Sequence, residues 1–145
     1  APNWKDNIRV LAMLSFEHKL RVEYHHTDQM GIVHHSNYVK FFEAARTEWL
    51  RAAGLTYAEM ERRGVMMPIV EVNIRYKQPA YYDELIAITV TVDELPQARM
   101  IFHYDIKGED GRAIAHGSTT LGFIDSITRR PQRAPKWLME VLERM

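Results

Sequence analysis

The apolar residues of this chain change their period partway along it, and this change restricts the possible folds more than any other feature. Residues 37–53 carry apolar side chains at helical spacing and predict an amphipathic helix. The residues that define its apolar stripe are Phe41, Ala45, Trp49 and Ala52. From residue 70 onward, apolar and polar residues alternate with a period of two, as in half-buried strands. A helix followed by strands favours an α+β fold in which the helix packs against one antiparallel sheet.

Turn-forming residues delimit the strands of this predicted sheet. One strand is predicted at 16–24, before the helix, and four more at 70–76, 86–92, 100–106 and 112–125. Pro79 ends the first of these four, and a turn at 108–111 precedes the last. Because consecutive strands with short turns usually pair in sequence order, we expect the four to form an antiparallel meander. Short helices are predicted at 57–63 and 135–144.

The length of the chain, 145 residues, is that of one domain with its own core. We expect residues 1–15 to be an N-terminal extension and residues 16–145 to form a single domain. Residues 1–19 lack the continuous apolar run of a secretory signal. No segment approaches the roughly 18–20 apolar residues of a membrane helix. We therefore expect a cytoplasmic protein without membrane insertion.

Charge and cysteine content exclude several classes of function. The 19 Lys and Arg residues balance 19 Asp and Glu residues, whereas proteins that bind nucleic acid through its phosphates normally carry a basic excess. The chain has no cysteine. Disulfides, thiolate metal sites, iron–sulfur clusters and a cysteine nucleophile are therefore impossible.

Chemically versatile side chains are concentrated between the first strand and the long helix. Residues 25–35 contain four His and one Asp, immediately before a helix N-terminus that Ser36 or Asn37 can cap. Three interpretations compete: a solvated loop that caps the helix, a metal site, and an acyl-transfer site. The metal interpretation is the weakest, because adjacent histidines rarely point at one ion and no His pair has the i,i+4 spacing of helical metal motifs.

The acyl-transfer interpretation combines Asp28 with the free N–H groups of the helix N-terminus. Such groups, with the helix dipole, stabilise the negative oxygen that forms when a carbonyl is attacked. A carboxylate just upstream can activate water or attack the carbonyl itself. Gly31 allows the loop to turn back and bring Asp28 near the helix end.

A longer motif surrounds these residues. Residues 27–38 read TDQMGIVHHSNY and residues 41–50 read FFEAARTEWL. An Asp is followed by Gly three residues on, by His or Tyr seven residues on, and then by Asn-Tyr at the start of the helix. On this motif the chain resembles the 4-hydroxybenzoyl-CoA thioesterase family of hot-dog-fold proteins, closest to the branch with the Tol-Pal-associated acyl-CoA thioesterases. Weaker similarity covers residues 16–142.

The resemblance implies a hot-dog fold, in which a five-stranded antiparallel sheet wraps around one long helix. It also implies hydrolysis of an acyl-CoA substrate without metal or organic cofactor, by a homodimer with a continuous ten-stranded sheet or by a homotetramer. Asp28 corresponds to the catalytic carboxylate, acting as general base or nucleophile, and His35 to the residue whose backbone N–H polarises the thioester carbonyl. The expected substrate-binding residues are Gly31, Val33, His34, Asn37 and Tyr38. In the family, Tyr or Trp is commoner at the position of His34.

A basic loop at residues 129–136 holds four basic residues and no acidic one. Arg129 and Arg130 are candidates for binding the phosphates of CoA, because a guanidinium donates two parallel hydrogen bonds to a phosphate. A solvated charged surface is the alternative for this loop.

The remaining candidates have simpler interpretations. Glu43 and Glu48 lie on the predicted helix, where a related hot-dog group has its catalytic acid, but pairing with nearby Lys or Arg is expected. His103 and His116 are expected on a sheet face. Four methionines either line an adaptable acyl pocket or pack in the core: Met60, Met66, Met67 and Met100.

Two rival functions share the predicted fold. One is hydrolysis of an acyl group carried by an acyl-carrier protein, and the other is binding of acyl-CoA without catalysis. The intact Asp28 disfavours the second, because a binding protein has no need of a carboxylate beside the carbonyl.

Overall fold

A five-stranded antiparallel sheet with a long helix packed against it makes up most of the structure, a computed structural model that describes residues 14–144. The helices are α1 (Asn37–Ala52), α2 (Tyr57–Arg62) and α3 (Lys136–Arg144). The strands are β1 (Ser15–Arg21), β2 (Val65–Met66), β3 (Ile69–Tyr76), β4 (Leu85–Thr91), β5 (Arg99–Lys107), β6 (Ala113–Gly122) and β7 (Ile124–Asp125). The α+β fold with one five-stranded sheet and one long helix is confirmed. Within residues 14–144, no helix is long and apolar enough to cross a membrane.

The N-terminal strand begins within the segment expected to be an extension. Residues 1–13 lie outside the described residues, but Ser15 already pairs with Thr91 of β4. Leu14 is fully buried, and its carbonyl accepts the indole N–H of Trp49 at 3.1 Å. Leu14 and Ser15 therefore belong with the packed part of the chain.

The order of strands in the sheet, β1-β4-β5-β6-β3, corrects one expectation. Strands β4, β5 and β6 do form successive antiparallel pairs, but the expected four-strand meander is wrong for β3. Both sides of β4 are occupied by β1 and β5, so β3 pairs with β6 at the far edge of the sheet. The chain must then cross the end of the sheet between β3 and β4. We call residues 77–84 the crossing segment.

A second, two-stranded sheet divides the strand predicted at 112–125. Phe123 separates β6 from β7, because β7 leaves the main sheet to pair with β2 through Val65↔Asp125 and Met66↔Ile124. The other predicted elements agree with the structure to within a few residues at their ends.

Helix α1 buries aromatic rings against the sheet. Phe42 stacks on Tyr104 of β5, with ring centroids 4.2 Å apart, and Trp49 meets the ring of Phe102 edge-on at 5.3 Å. Full burial of each large apolar side chain contributes roughly 1.5–3 kcal/mol. Ala52, predicted on the same stripe, is exposed, because the helix ends there and the chain turns away at Gly54, with a φ of +84°.

Gly117 of β6 permits the close contact between helix and sheet. It lies opposite Tyr104 on one side and Ile74 on the other. A Cβ atom at this position would be 2.2 Å from the Asn73 carbonyl oxygen and 2.9 Å from Cε2 of Phe42. The absence of a side chain at residue 117 therefore leaves the space that the ring of Phe42 occupies.

Arg46 lies inside this core, only 3% exposed. Its guanidinium donates to the hydroxyls of Tyr57 (2.7 Å) and Tyr104 (3.0 Å), and Tyr104 Oη lies 2.6 Å from Thr119 Oγ1. Burial disfavours its charge, but Tyr104 and Tyr57 outweigh that effect and raise the pKa of Arg46. These hydrogen bonds tie α1 and α2 to β5 and β6.

Candidate active site

The loop between β1 and α1, residues 22–36, carries Asp28; we call it the Asp28 loop. Asp28 begins a tight turn: its carbonyl accepts the N–H of Gly31 (3.1 Å) and its N–H donates to the carbonyl of Ile32 (2.9 Å). Gly31 adopts a φ of +76°, a conformation that other residues rarely adopt. The turn thus folds the Asp28 loop back on itself between Asp28 and Ile32.

The crossing segment holds the Asp28 loop from the opposite side. Val33 N–H donates to the Ala80 carbonyl at 2.9 Å, and Tyr82 N–H donates to the Gly31 carbonyl at 3.3 Å. Ile32 and Tyr81 form an isolated antiparallel bridge. The position of Asp28 therefore depends on residues that are about 50 positions away in the sequence.

The start of α1 differs from the predicted capping. Ser36 makes no side-chain cap, because its hydroxyl lies 2.8 Å from Nδ1 of His34. Asn37 is buried and donates its side-chain amide to the His26 carbonyl at 2.8 Å, so it braces the loop instead. The expectation that either side chain caps the helix is wrong.

One backbone amide next to the helix is free. The N–H groups of residues 33, 34, 36, 37 and 38 all donate to acceptors within the loop, the helix start or the crossing segment. The N–H of His35 donates to no acceptor among residues 14–144. Such an unpaired donor at a helix N-terminus can bind an oxyanion.

Asp28 and His35 line the same cleft, of about 360 Å³, which we call the Asp28 cleft. Its lining residues are Asp28, Ile32, Val33, His34, His35, Tyr38, Tyr76, Lys77, Gln78 and Pro79. Five residues proposed from the sequence thus come together: Asp28, Val33, His34, His35 and Tyr38. Gly31 shapes the turn behind them.

One carboxylate oxygen of Asp28 is available for chemistry. Oδ1 accepts the N–H of Met30 at 2.8 Å, which fixes the orientation of the carboxylate. Oδ2 accepts no hydrogen bond from any of residues 14–144. A half-buried carboxylate with one free oxygen can accept a proton from water or attack a carbonyl carbon.

Besides Ile32 of the Asp28 loop, four lining residues are not among those proposed from the sequence: Tyr76, Lys77, Gln78 and Pro79. Tyr76 Oη donates to the His35 carbonyl at 3.3 Å, and its ring lies edge-on to Tyr38 at 5.3 Å between centroids. Burial raises the pKa of Tyr38, so this phenol stays protonated. The sequence marks these four only as the end of a strand, because the crossing at the sheet end is a property of topology.

Arg129 and Arg130 lie away from the Asp28 cleft in the same chain. Arg129 Nη1 is 3.3 Å from the sulfur of Met66, near the start of β3, whereas the cleft lies at the other end of β3. With eight residues, β3 separates the two sites by roughly 23 Å. Arg129 lines a second hollow of about 240 Å³ together with Tyr57, Met60, Met66 and Met67. Met100 is buried in the core.

The other titratable candidates lie elsewhere. Glu48 pairs with Arg51 at 3.4 Å, as expected. The pairing expected for Glu43 is wrong, since it forms no ion pair within residues 14–144 and Arg46 donates to two tyrosines instead. Both glutamates line a shallow hollow outside the Asp28 cleft. His103 and His116 lie on the sheet face that bears larger hollows of about 440 and 420 Å³, and His103 Nε2 is 3.1 Å from Asp93 Oδ2. The residues that line those hollows belong to strands and to the loop between β4 and β5, and none of them belongs to a helix.

Glu23, His25 and His26 are the only group among residues 14–144 whose potential metal-binding atoms lie within 4.8 Å of one another. However, His26 Nδ1 already accepts the N–H of Glu23 at 2.9 Å. The other ring nitrogen of a neutral His26 then carries the proton, and a protonated nitrogen cannot bind a metal. The arrangement does not fit a metal unless this hydrogen bond is broken.

Comparisons of this chain with known families, sequences and structures agree with one another. The profile of the thioesterase-like superfamily matches residues 22–142. A putative esterase of Aquifex aeolicus is 33% identical over 90% of this chain and 99% of that one. The putative acyl-CoA thioesterase YneP of Bacillus subtilis is 31% identical over 78% of this chain and 82% of that one. The structure of a DHNA-CoA thioesterase from Staphylococcus aureus superposes with a TM-score of 0.82 at 30% identity, over 90% of this chain and 89% of that one.

Proposed function

The chain belongs to the thioesterase-like superfamily, and on this premise we propose that it hydrolyses acyl-CoA to a free acid and CoA in the Asp28 cleft. It is a thioester hydrolase with a hot-dog fold. Within the superfamily we assign it to the 4-hydroxybenzoyl-CoA thioesterase family, Tol-Pal-associated branch, on the motif of Asp28, Gly31, His35, Asn37 and Tyr38. A cytoplasmic location stays a prediction of the sequence.

The observation that carries this proposal is the free N–H of His35 in the same cleft as the free oxygen of Asp28. The thioester carbonyl oxygen accepts the His35 N–H, so negative charge that develops on it is stabilised. In one route Asp28 takes a proton from water, whose oxygen attacks the carbonyl carbon. In the other route Asp28 attacks the carbon directly, and water hydrolyses the resulting anhydride. In both, the C–S bond breaks and the sulfur leaves as CoA thiolate.

The walls of the cleft suit an acyl group next to the reacting carbonyl. Val33 and Tyr38 offer buried apolar surface, and His34 contributes a ring that packs against the ring of His35 at a tilt of 33°, with centroids 4.1 Å apart. We assign substrate contact to these residues. Asn37 supports the Asp28 loop through its hydrogen bond to the His26 carbonyl. Gly31 contributes through the turn that its positive φ permits.

We also propose that two copies of the chain pair through β3, so that a continuous ten-stranded sheet forms. The outer edge of β3 is free in the described residues and carries partly exposed apolar side chains: Ile69, Val70 and Tyr76. Unpaired edges of this kind favour pairing with another strand. Antiparallel pairing of two β3 strands places the Ile69 end of one copy beside the Tyr76 end of the other. Arg129 and Arg130 of the partner subunit then come near the Asp28 cleft and can bind CoA phosphates.

Replacing both arginines (Arg129→Ala/Arg130→Ala) is expected to raise the KM for acyl-CoA about tenfold and to leave kcat nearly unchanged, since a charge-assisted hydrogen bond contributes about 1.5–3 kcal/mol. An acyl-pantetheine substrate, which lacks the nucleotide, should show no such change. Arg99→Ala/Arg144→Ala is the matched control, because both residues are exposed and lie outside the basic loop. An unchanged KM for acyl-CoA in the double variant would refute the phosphate contact.

Mixed dimers test whether the site is shared. Asp28→Asn subunits and Arg129→Ala/Arg130→Ala subunits are coexpressed with different tags, and the mixed species is isolated. A shared site restores one intact cleft per mixed dimer, with wild-type KM. If each chain supplies its own arginines, no intact cleft forms and wild-type KM does not return.

The rival functions differ from this one in measurable products. A non-catalytic protein binds acyl-CoA and releases no thiol, and an acyl-carrier-protein thioesterase releases thiol from the acylated carrier far faster than from acyl-CoA. Thiol release from acyl-CoA therefore tests the proposal.

A further inference from the structure

Arg112 forms a bidentate ion pair with Glu84, the last residue of the crossing segment. Arg112 Nη1 donates to Glu84 Oε2 at 2.7 Å and Nη2 donates to Oε1 at 2.6 Å. The side chains are only 17% and 10% exposed. The hydrogen bonds from Arg112 hold the pKa of Glu84 below its usual value, so the pair is ionised at neutral pH. A bidentate pair of this kind fixes the relative orientation of the two side chains as well as the distance between them.

This pair holds the crossing segment at two points. Nη2 of Arg112 also donates to the Pro79 carbonyl at 2.8 Å, and Oε1 of Glu84 accepts the Tyr81 N–H at 3.1 Å. The guanidinium carbon lies 5.2 Å from the centre of the Tyr81 ring. The backbone of residues 79–81 is therefore bound on both sides of Ala80.

Ala80 is one of the residues through which the crossing segment holds the Asp28 loop. Its carbonyl accepts the Val33 N–H at 2.9 Å, and the Ile32 carbonyl in turn accepts the Asp28 N–H at 2.9 Å. Pro79 and Gln78 also form a wall of the Asp28 cleft. A continuous series of hydrogen bonds and short stretches of backbone thus leads from the guanidinium of Arg112 to Asp28.

The turn between β5 and β6 is shaped to admit this pair. A Cβ atom on Gly108 would lie 2.4 Å from Nη1 of Arg112 and 2.6 Å from Oε2 of Glu84. Asp110 in the same turn accepts a further bond from Nη1, at 2.8 Å. Gly108 therefore offers a second way to displace Arg112, without removing its charge.

We propose that Arg112 is a positioning residue for thioester hydrolysis: paired with Glu84, it fixes the crossing segment and thereby the distance between Asp28 and the His35 amide. This inference rests on the proposed function of the Asp28 cleft. Arg112 lies outside the cleft lining and touches no substrate, so its effect falls on the geometry of reaction more than on substrate affinity.

Replacing Arg112 with methionine is expected to lower kcat about 100-fold, because a displacement of about 1 Å at the reacting groups has that effect. The KM should change little. Arg112→Lys keeps the charge but not the bidentate geometry, so its kcat should lie between those of Arg112→Met and the wild type. Hydrogen exchange at the Val33 amide should become faster in both variants. Arg51→Met, which removes the exposed partner of Glu48, is the matched control and should change neither quantity.

All variants are compared at a temperature at which circular dichroism shows each to be folded. If Arg112→Met does not fold, Gly108→Ala and Glu84→Gln serve as the tests, with the same two readouts expected. Unchanged kcat, or a lowered kcat with unchanged exchange at Val33, overturns the proposal. If the wild-type protein hydrolyses no acyl-CoA, the proposed function fails, and Val33 exchange still decides whether Arg112 orders the loop.

Discussion

Asp28→Asn is expected to lower the kcat for acyl-CoA hydrolysis by about 1000-fold, within the range of 10² to 10⁴ that a positioned general base contributes. Asn has the same shape as Asp, and its side-chain oxygen can still accept the Met30 N–H, so the turn is preserved. What disappears is the negative charge on the free oxygen, and with it the ability to take a proton from water or to attack the thioester. The measurement is steady-state turnover of acyl-CoA, with circular dichroism and thermal unfolding as tests of folding.

Asp125→Asn is the matched control for this substitution. Asp125 also begins a turn, in which Oδ1 accepts the N–H groups of Ile127 and Thr128 at 2.9 and 2.8 Å. It lies outside the Asp28 cleft. We expect Asp125→Asn to retain turnover, with at most a small loss of stability. Wild-type turnover in a folded Asp28→Asn protein would show that another group supplies the carboxylate chemistry.

Gly117→Ala is expected to lower the free energy of unfolding by about 3 kcal/mol, the upper end of the usual range for overpacking a core. The added Cβ would meet a backbone oxygen at 2.2 Å, and neither that oxygen nor the stacked ring of Phe42 can move without disturbing β3 or α1. Urea unfolding followed by tryptophan fluorescence measures the change. The midpoint should fall while the slope stays constant.

Gly122→Ala is the control on the same strand. A Cβ there would lie 3.6 Å from Cγ2 of Val70, an ordinary contact, and nothing closer surrounds it. We expect the stability of Gly122→Ala to be close to that of the wild type. Equal unfolding midpoints for the two variants would mean that α1 does not sit on β6 as closely as described.

Local periodicity was sufficient to predict the elements of this fold but not their arrangement. Helix α1 and strands β4 and β5 appear where the sequence predicts them, because each has a regular buried face. Strand β6 begins within one residue of its predicted start but ends at Gly122, and β7 pairs with β2 instead. Strand β3 has the same alternation, yet it pairs with β6, since β4 is occupied on both sides. Alternation specifies which side chains face inward and carries no information about the neighbouring strand.

The candidate site, like the fold, is only partly predictable from the sequence. Asp28 and His35 fall within one continuous motif, so the sequence alone indicates that they lie together. The opposite wall, from Tyr76 to Pro79, exists only because the chain crosses the sheet end beside the Asp28 loop. The prediction that Ser36 caps the helix is wrong for a related reason. The nearby His34 ring competes for the serine hydroxyl, and residue preferences do not include such competition.

The positions of Arg129 and Arg130 show how topology limits a functional prediction. Their residue types suit CoA phosphates, but the single chain places them at the opposite end of β3 from Asp28. Pairing of two copies through β3 would bring these arginines of one copy near the Asp28 cleft of the other. The mixed-dimer experiment decides whether the two copies share the site in this way.

The most direct test of the central proposal is release of free CoA thiol from short, long and aromatic acyl-CoAs, followed with a thiol-reactive dye. The chain has no cysteine, so the protein itself adds no signal. Wild-type protein is expected to release thiol catalytically from at least one member of the panel, one equivalent for each free acid formed, and Asp28→Asn about 1000-fold more slowly. Saturable binding of acyl-CoA without thiol release from any member would contradict the assignment as a thioesterase.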